Sequence, residues 1–207
     1  MNLTFISDTH SLHDRLPAID AGDVLIHCGD FTGRGTLDDT LNFAEFMAAQ
    51  PFTHKIVIAG NHDWCFEDKR RKIAEHILKE YGLIYLNDSG IEIDGVKFWG
   101  SPIQPEFCDW AFNRERGEAI RQHWDKIPAD TDVLITHGPR PASSTSVTTV
   151  STPGAKTYCT RSNASNRAST PAGTSTKATA KRKSARPCSS TPVFWMNAIR
   201  CGIRRLW

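Results

Sequence analysis

Apolar positions in the first two-thirds of the chain follow two different periods. Asn2 to Ile6 and Asp23 to Cys28 (DVLIHC) are short runs that predict β-strands, and the second is so nearly continuous that it suits burial on both faces. Thr36 then precedes Leu37, Leu41, Ala44, Met47 and Ala48, with Asp39 in the first turn. This spacing predicts an amphipathic helix capped by the threonine. Lys55 to Ala59 (KIVIA) predicts a third strand. Glu67 to Tyr81 predicts a second helix with Ile73, Ile77, Leu78 and Tyr81 on one face and Gly82 as its stop. Ile91 to Ile93 and Val96 to Trp99 flank Asp94-Gly95, the pair best suited to a two-residue hairpin turn. A helix from Arg116 to Trp124 and a buried strand from Asp132 to Thr136 (DVLIT) complete the pattern. Strand, helix, strand, helix predicts an α/β fold built on a mainly parallel sheet.

The chain has 207 residues and 39% hydrophobic content, which fits one domain, or one domain with an appendage. No apolar run approaches the roughly 18 residues of a membrane helix, and the N-terminus enters a strand-like run, so a soluble, cytoplasmic protein with no membrane partner is expected. Six cysteines are scattered without a C-x-x-C pair and read as structural thiols. The formal net charge of +2 conceals a division. All 23 acidic residues and all eight histidines lie at or before His137, where Lys and Arg number 13, a local balance of −10. From Gly138 onward there are 12 basic residues and no acidic ones, among many Ser and Thr, with Lys181-Arg182-Lys183 as the most basic point. That composition predicts a disordered polybasic tail.

Each strand-like run ends in polar residues. Asp8-Thr9-His10 follows the first, and in extended chain residues two apart point the same way, presenting a carboxylate and an imidazole together. Gly29-Asp30 follows the second run, Gly60-Asn61-His62-Asp63 the third, and Thr136-His137-Gly138-Pro139 the last. The glycines let backbone pass close to an occupied site, while Asp30 and Asn61 offer hard oxygen ligands. Singly, each has a plainer reading: Asp8 caps a turn, His10 is solvated, and Gly, Asn and Asp are ordinary turn formers. Together they are delivered to the carboxyl edge of the sheet, where open α/β folds place their sites.

The order D-x-H, G-D, G-N-H-D, T-H-G-P resembles that of the calcineurin-like metallophosphoesterases. The surrounding Phe5 to His10 (FISDTH), Trp99 to Pro102 (WGSP) and Trp110 to Asn113 (WAFN) look like the small metallophosphoesterase-domain phosphodiesterases, over about residues 1 to 139. The resemblance implies a layered sandwich of mixed β-sheets flanked by helices, here truncated at its C-terminal strands. It also implies metal-dependent hydrolysis of phosphodiester, or phosphomonoester, bonds in a small-molecule or nucleotide substrate. By that resemblance, Asp8 and His10 hold a first divalent ion, Asp30 bridges, and Asn61 and His137 hold a second. Two such cations, roughly 3.5 to 4 Å apart, clamp a phosphate and lower the pKa of a bridging water for in-line attack. His62 then stabilises the developing charge or protonates the leaving oxygen. Asp63 either fixes the His62 tautomer or is merely solvated. Manganese, iron, zinc and magnesium all suit mixed nitrogen and oxygen ligands.

One part of the pattern is missing. The family's last motif is G-H-x-H, and this chain has no histidine after His137, so each metal is one ligand short. Back-translation of Gly173 to Ala180 as GGC ACA TCC ACG AAG GCT ACG GCG, read one base earlier, encodes G-H-I-H-E-G-Y-G. The same shift turns the Ala155 to Arg161 stretch into E-D-L-L-H-A. We therefore read 1–139 as an incomplete metallophosphoesterase domain and 140–207 as out of frame after a one-base slip beyond T-H-G-P. Two alternatives stand beside it: an inactive product with weak metal binding, or a genuine basic tail for RNA, an anionic membrane or another acidic partner. Sequencing a fresh clone across the codons for residues 135 to 145 tests the slip. A frame-restored gene is expected to exceed the chain as written in manganese-stimulated phosphodiesterase activity by at least about 10- to 100-fold, and equal activity would sink the account.

Overall fold

A computed structural model describes residues 1–138 and, beyond them, the backbone of 158–161 and 199–202. In chain order the elements are β1 (Asn2–Ile6), β2 (Gly22–Cys28), α1 (Leu37–Ala49), β3 (Phe52–Ile58), α2 (Arg71–Glu80), β4 (Ile84–Tyr85), β5 (Ser89–Ile93), β6 (Val96–Ser101), β7 (Gln104–Pro105), β8 (Asn113–Arg114), α3 (Glu118–Trp124), β9 (Val133–Thr136), β10 (Tyr158–Arg161) and β11 (Ile199–Gly202). The first sheet runs β11-β1-β2-β3-β4, and the second β10-β9-β6-β5. Strands β1 to β4 are mutually parallel, as is the β6–β9 pair.

Alternation along β2 and β3 explains the unbroken apolar run. Leu25 and Val57 face one way, into a cluster with Phe43, Ala44 and Met47 of α1 and Ala74 and Leu78 of α2. Val24, Ile26, Ile56 and Ile58 face the other way and pack against Val96, Phe98, Val133 and Ile135 of the second sheet. Helices, sheet and sheet are thus stacked with two apolar layers between them, and the expected α/β sandwich is what forms. The Thr36 side chain accepts from the Asp39 N–H at 3.0 Å, as the capping pattern implied. Asp94 (φ 49°) and Gly95 (φ 70°) join Ile93 to its partner Val96, both left-handed as a type I′ hairpin requires.

Some expectations need correction. The second helix begins at Arg71, because Trp64–Phe66 is spent on a 3-10 turn. Ile73 is 53% exposed and Ala74 is buried in its stead, while Leu78 is buried as expected with Ile77 and Tyr81 partly buried beside it. Leu41 is likewise exposed, its place in the core taken by Phe43. Cys28 and Cys65 are buried in the core, in keeping with a structural role, whereas Cys108 is in a disulfide. The sequence left β1 and β9 without outer neighbours, yet β11 pairs antiparallel with β1 and β10 with β9. Such pairing needs only backbone N–H and C=O groups, so it does not depend on which side chains the segment carries. The remaining expectations for 140–207, disorder and frame, lie outside the described residues.

Asp88 fastens α3 to the end of β6. Its carboxylate accepts from Ser101 Oγ at 2.6 Å, from the His123 ring and from Lys126 Nζ at 3.3 Å. Partial burial works to raise the Asp88 pKa, but the His123 and Ser101 hydrogen bonds outweigh it and the group titrates below its ordinary value. A lowered folded-state pKa means that the stabilisation is complete above the ordinary carboxylate range and is lost as pH falls through the folded value. Asp88→Asn is therefore expected to cost about 1–2 kcal/mol near neutral pH. In urea melts, its deficit against the parent should shrink as pH drops below about 4.

Candidate metal centre

The predicted ligands all follow strand ends on one edge, Asp8 and His10 after β1, Asp30 after β2, Asn61 after β3 and His137 after β9, and the predicted catalytic His62 lies beside Asn61. The first three strands belong to one sheet and β9 to the other, so the cleft lies where the two sheets meet. Beyond their strands the chains remain laced: Asp8 N–H donates to Gly29 O at 3.0 Å, His10 N–H to Asp30 O at 3.0 Å, and Ser11 N–H to Phe31 O at 2.9 Å. These loops require left-handed backbone at Asp8, His10, Ser11 and Asp30, none of them glycine, at about 1 kcal/mol each. Gly29 (φ 100°) could not be otherwise, since a Cβ there would meet His137 Nδ1 at 2.6 Å.

Two donor groups result. His10, Asp30 and His62 each place a ligand atom within 4.8 Å of the others, and so do Asp8, Asp30 and His137. Asp30 belongs to both groups. The pairing otherwise differs from the one the resemblance implied: by distance Asp8 keeps company with His137, and His10 with His62. Asn61 joins through Oδ1, 3.2 Å from His137 Nε2, which also lies 3.3 Å from Asp30 Oδ2. His137 Nδ1 donates to Cys28 O at 2.9 Å, a carbonyl contact that turns Nε2 into the cleft. Burial disfavours the charged His137 ring, but Asp30 outweighs it and raises the group to about 10; by the same pairing Asp30 titrates below its ordinary value despite its own burial.

His62 is held on three sides. Its Nδ1 lies 3.0 Å from Gly33 O, its ring edge meets His10 at a centroid distance of 4.5 Å, and Trp110 stacks on its face at 4.2 Å and 28°. The tautomer of His62 is therefore set by the Gly33 carbonyl, which leaves Nε2 for the cleft. This corrects the role expected of Asp63. That side chain is fully buried, neither solvated nor on the imidazole, and its oxygens accept from Asp30 N–H (2.9 Å), Gly60 N–H (2.7 Å), Thr32 N–H (2.9 Å) and Thr32 Oγ1 (2.7 Å). Four donors fill a carboxylate, so Asp63 binds the β2 loop to the β3 loop. Burial and then the charge of Asp30 push it up to about 7. Trp110 was visible in the sequence only as part of a family-like string, since nothing local connects it with a histidine 48 positions earlier. Its loop is pinned by Ala111 N–H to Asn61 O (3.3 Å) and by the Phe112 N–H bond to Glu67.

The donor set is one of carboxylates, an amide oxygen and imidazoles, with a 4% exposed carboxylate shared between two clusters. Such a set fits divalent cations of the manganese, iron, zinc or magnesium kind. The calcineurin-like phosphoesterase family model matches residues 1–165. The chain belongs to that family. Members use divalent metals, in agreement with the donors present. Metallophosphoesterase domain-containing protein 1 of Homo sapiens is 38% identical over 156 residues, covering 65% of this chain and 47% of the relative. A UPF0046 protein of Caenorhabditis elegans is 44% identical over 147 residues, covering 65% and 52%. The chain thus spans about half the length of these curated relatives. A probable rhamnogalacturonate lyase C of Emericella nidulans is 37% identical over 143 residues, which is 13% of that protein. Among the described residues no helix is long and apolar enough to cross a membrane.

Gly60 is the tightest point of the cleft. A Cβ there would lie 2.9 Å from Asp30 Cγ and closer still to Asp30 Oδ1 and its main-chain nitrogen. Gly60→Ala is accordingly expected to displace the Asp30 carboxylate and weaken the binding of a divalent cation, with manganese as the probe, by about tenfold or more. Titration calorimetry on folded protein checks this, and unchanged affinity would mean that Asp30 does not hold the metal.

Proposed function

We propose that this chain is a metal-dependent phosphoesterase that directs a water at a phosphodiester through two adjoining cation sites sharing Asp30. The observation that carries the proposal is the pair of three-residue donor groups with one carboxylate in common. When bound, divalent cations in those groups would neutralise phosphoryl charge and make hydroxide available near neutral pH. Everything else is the work of the chain. Asp30 is kept ionised between His137 and the His62 backbone N–H, which donates to its Oδ1 at 2.8 Å. Asp8 and Asn61 add oxygen donors from neighbouring loops, and His10 and His137 add imidazoles. His62, with Nδ1 committed to Gly33 and its ring clamped by Trp110, presents Nε2 to the cleft; unligated and in its imidazolium form it is the group that protonates the leaving oxygen, and the His10–Asp30 site then keeps those two residues as its donors.

A second reading rests on one specific observation, the lack of any histidine beyond His137. With each centre short of a ligand, the chain would bind metal weakly and turn over slowly. One experiment separates these readings and also decides the role of His62. Turnover of an aryl phosphodiester is measured with manganese on protein first stripped of metal, beside manganese stoichiometry, for the parent and His62→Ala. A general acid predicts a loss of about 100- to 10,000-fold in rate with stoichiometry kept. A fall in stoichiometry would make His62 a ligand with His10 and Asp30. No turnover above background in the parent would leave the chain a metal-binding module.

A further inference from the structure

We propose that His27 is a positioning residue of this centre, a buried strut that ties the Asp8-Thr9-His10 loop to the Gly29-Asp30 loop and so sets the spacing of their ligands. The inference rests on the metal reading above and adds a residue to it. His27 lies on β2, wholly out of water, with Phe31 and Phe43 edge-on at centroid distances of 5.8 and 4.9 Å. An apolar side chain would suit that packing better, because an imidazole buried among phenylalanines is costly unless its nitrogens find partners. Here both do. Nδ1 accepts from Gly29 N–H at 3.3 Å, and Nε2 lies 3.1 Å from Thr9 Oγ1. A ring that accepts at Nδ1 and is buried this deeply is neutral, so its proton is on Nε2 and is donated to Thr9.

The two partners are no ordinary loop residues. Thr9, itself 1% exposed, sits between Asp8 and His10, and Gly29 immediately precedes Asp30. All three of those neighbours, Asp8, His10 and Asp30, together with Gly29 itself, adopt left-handed backbone that extended strands would not leave there unaided. Besides the main-chain bonds from Asp8 to Gly29 and from His10 to Asp30, the His27 ring joins the two loops through a side chain as well. Outer partners of this kind typically govern metal affinity by 10- to 100-fold without touching the ion.

Thr9→Val tests the strut, since it keeps the volume and removes the acceptor, and Thr9→Ser is the conservative control. Amide hydrogen exchange is followed on the full chain without metal, and manganese affinity is then measured on the same samples. Thr9→Val is expected to lower protection at 8–11 and 29–31 by about tenfold relative to α1 and the β5–β6 hairpin, and manganese affinity by 10- to 100-fold, with Thr9→Ser restoring both. Protection and affinity equal to the parent would overturn the proposal, as would a uniform loss of protection across the whole chain. Should Thr9→Val not fold, His27→Phe fills the same aromatic site and is read the same way. A parent chain that takes up no manganese would sink the metal reading, while the exchange pattern still decides the strut.

Discussion

Asp30 carries a negative charge on a side chain that water barely reaches, and the surrounding elements are arranged to keep it there. An unpartnered carboxylate in that position would take up a proton and cease to be an anionic donor. His137 approaches from the second sheet, His62 offers a backbone N–H from the β3 loop, and Gly60 leaves the space that any side chain would fill. The price is strained backbone around Asp8, His10 and Asp30, which survives only because bonds between neighbouring loops over-determine it.

Three cross-links share this task, and each joins a different pair of elements. His27 couples the β1 and β2 loops, Asp63 the β2 and β3 loops, and the His137–Cys28 contact brings the second sheet to the first. The site is consequently a property of the sandwich rather than of any one motif. Trp110 and the Gly33 carbonyl extend the same logic to His62, whose ring is given one orientation and one free nitrogen.

Much of this was legible in the sequence because local chemistry decided it. The DVLIHC run, the Thr36 cap and the Asp94-Gly95 turn are each satisfied within a few residues, and strand ends place Asp8, Asp30, Asn61 and His137 on one edge. Where distant partners decide, the sequence was silent or misleading. Asp63 follows a candidate acid and so invites a catalytic reading, yet its bonds go to backbone 31 and 33 residues away. Ile73 fits a helical period, but α2 offers its buried face through Ala74 and Leu78. The grouping of Asp8 with His137 follows from how the two sheets meet, and that of His10 with His62 from the β1 and β3 loops flanking β2; no spacing along the chain encodes either.

The contact between His137 and Cys28 spans 109 positions. A growing polypeptide therefore presents Asp8, Asp30 and Asn61 on a nascent three-stranded sheet long before the last imidazole has been synthesised. Closing so long a loop carries an entropic cost that local strand and helix formation does not, so the second sheet docks late. Until it does, one cluster lacks its histidine and Asp30 lacks its strongest counter-charge. The Asp8, Asp30 and His137 cluster is thus complete only in the finished sandwich, and a half-made chain released early has nothing with which to imitate it.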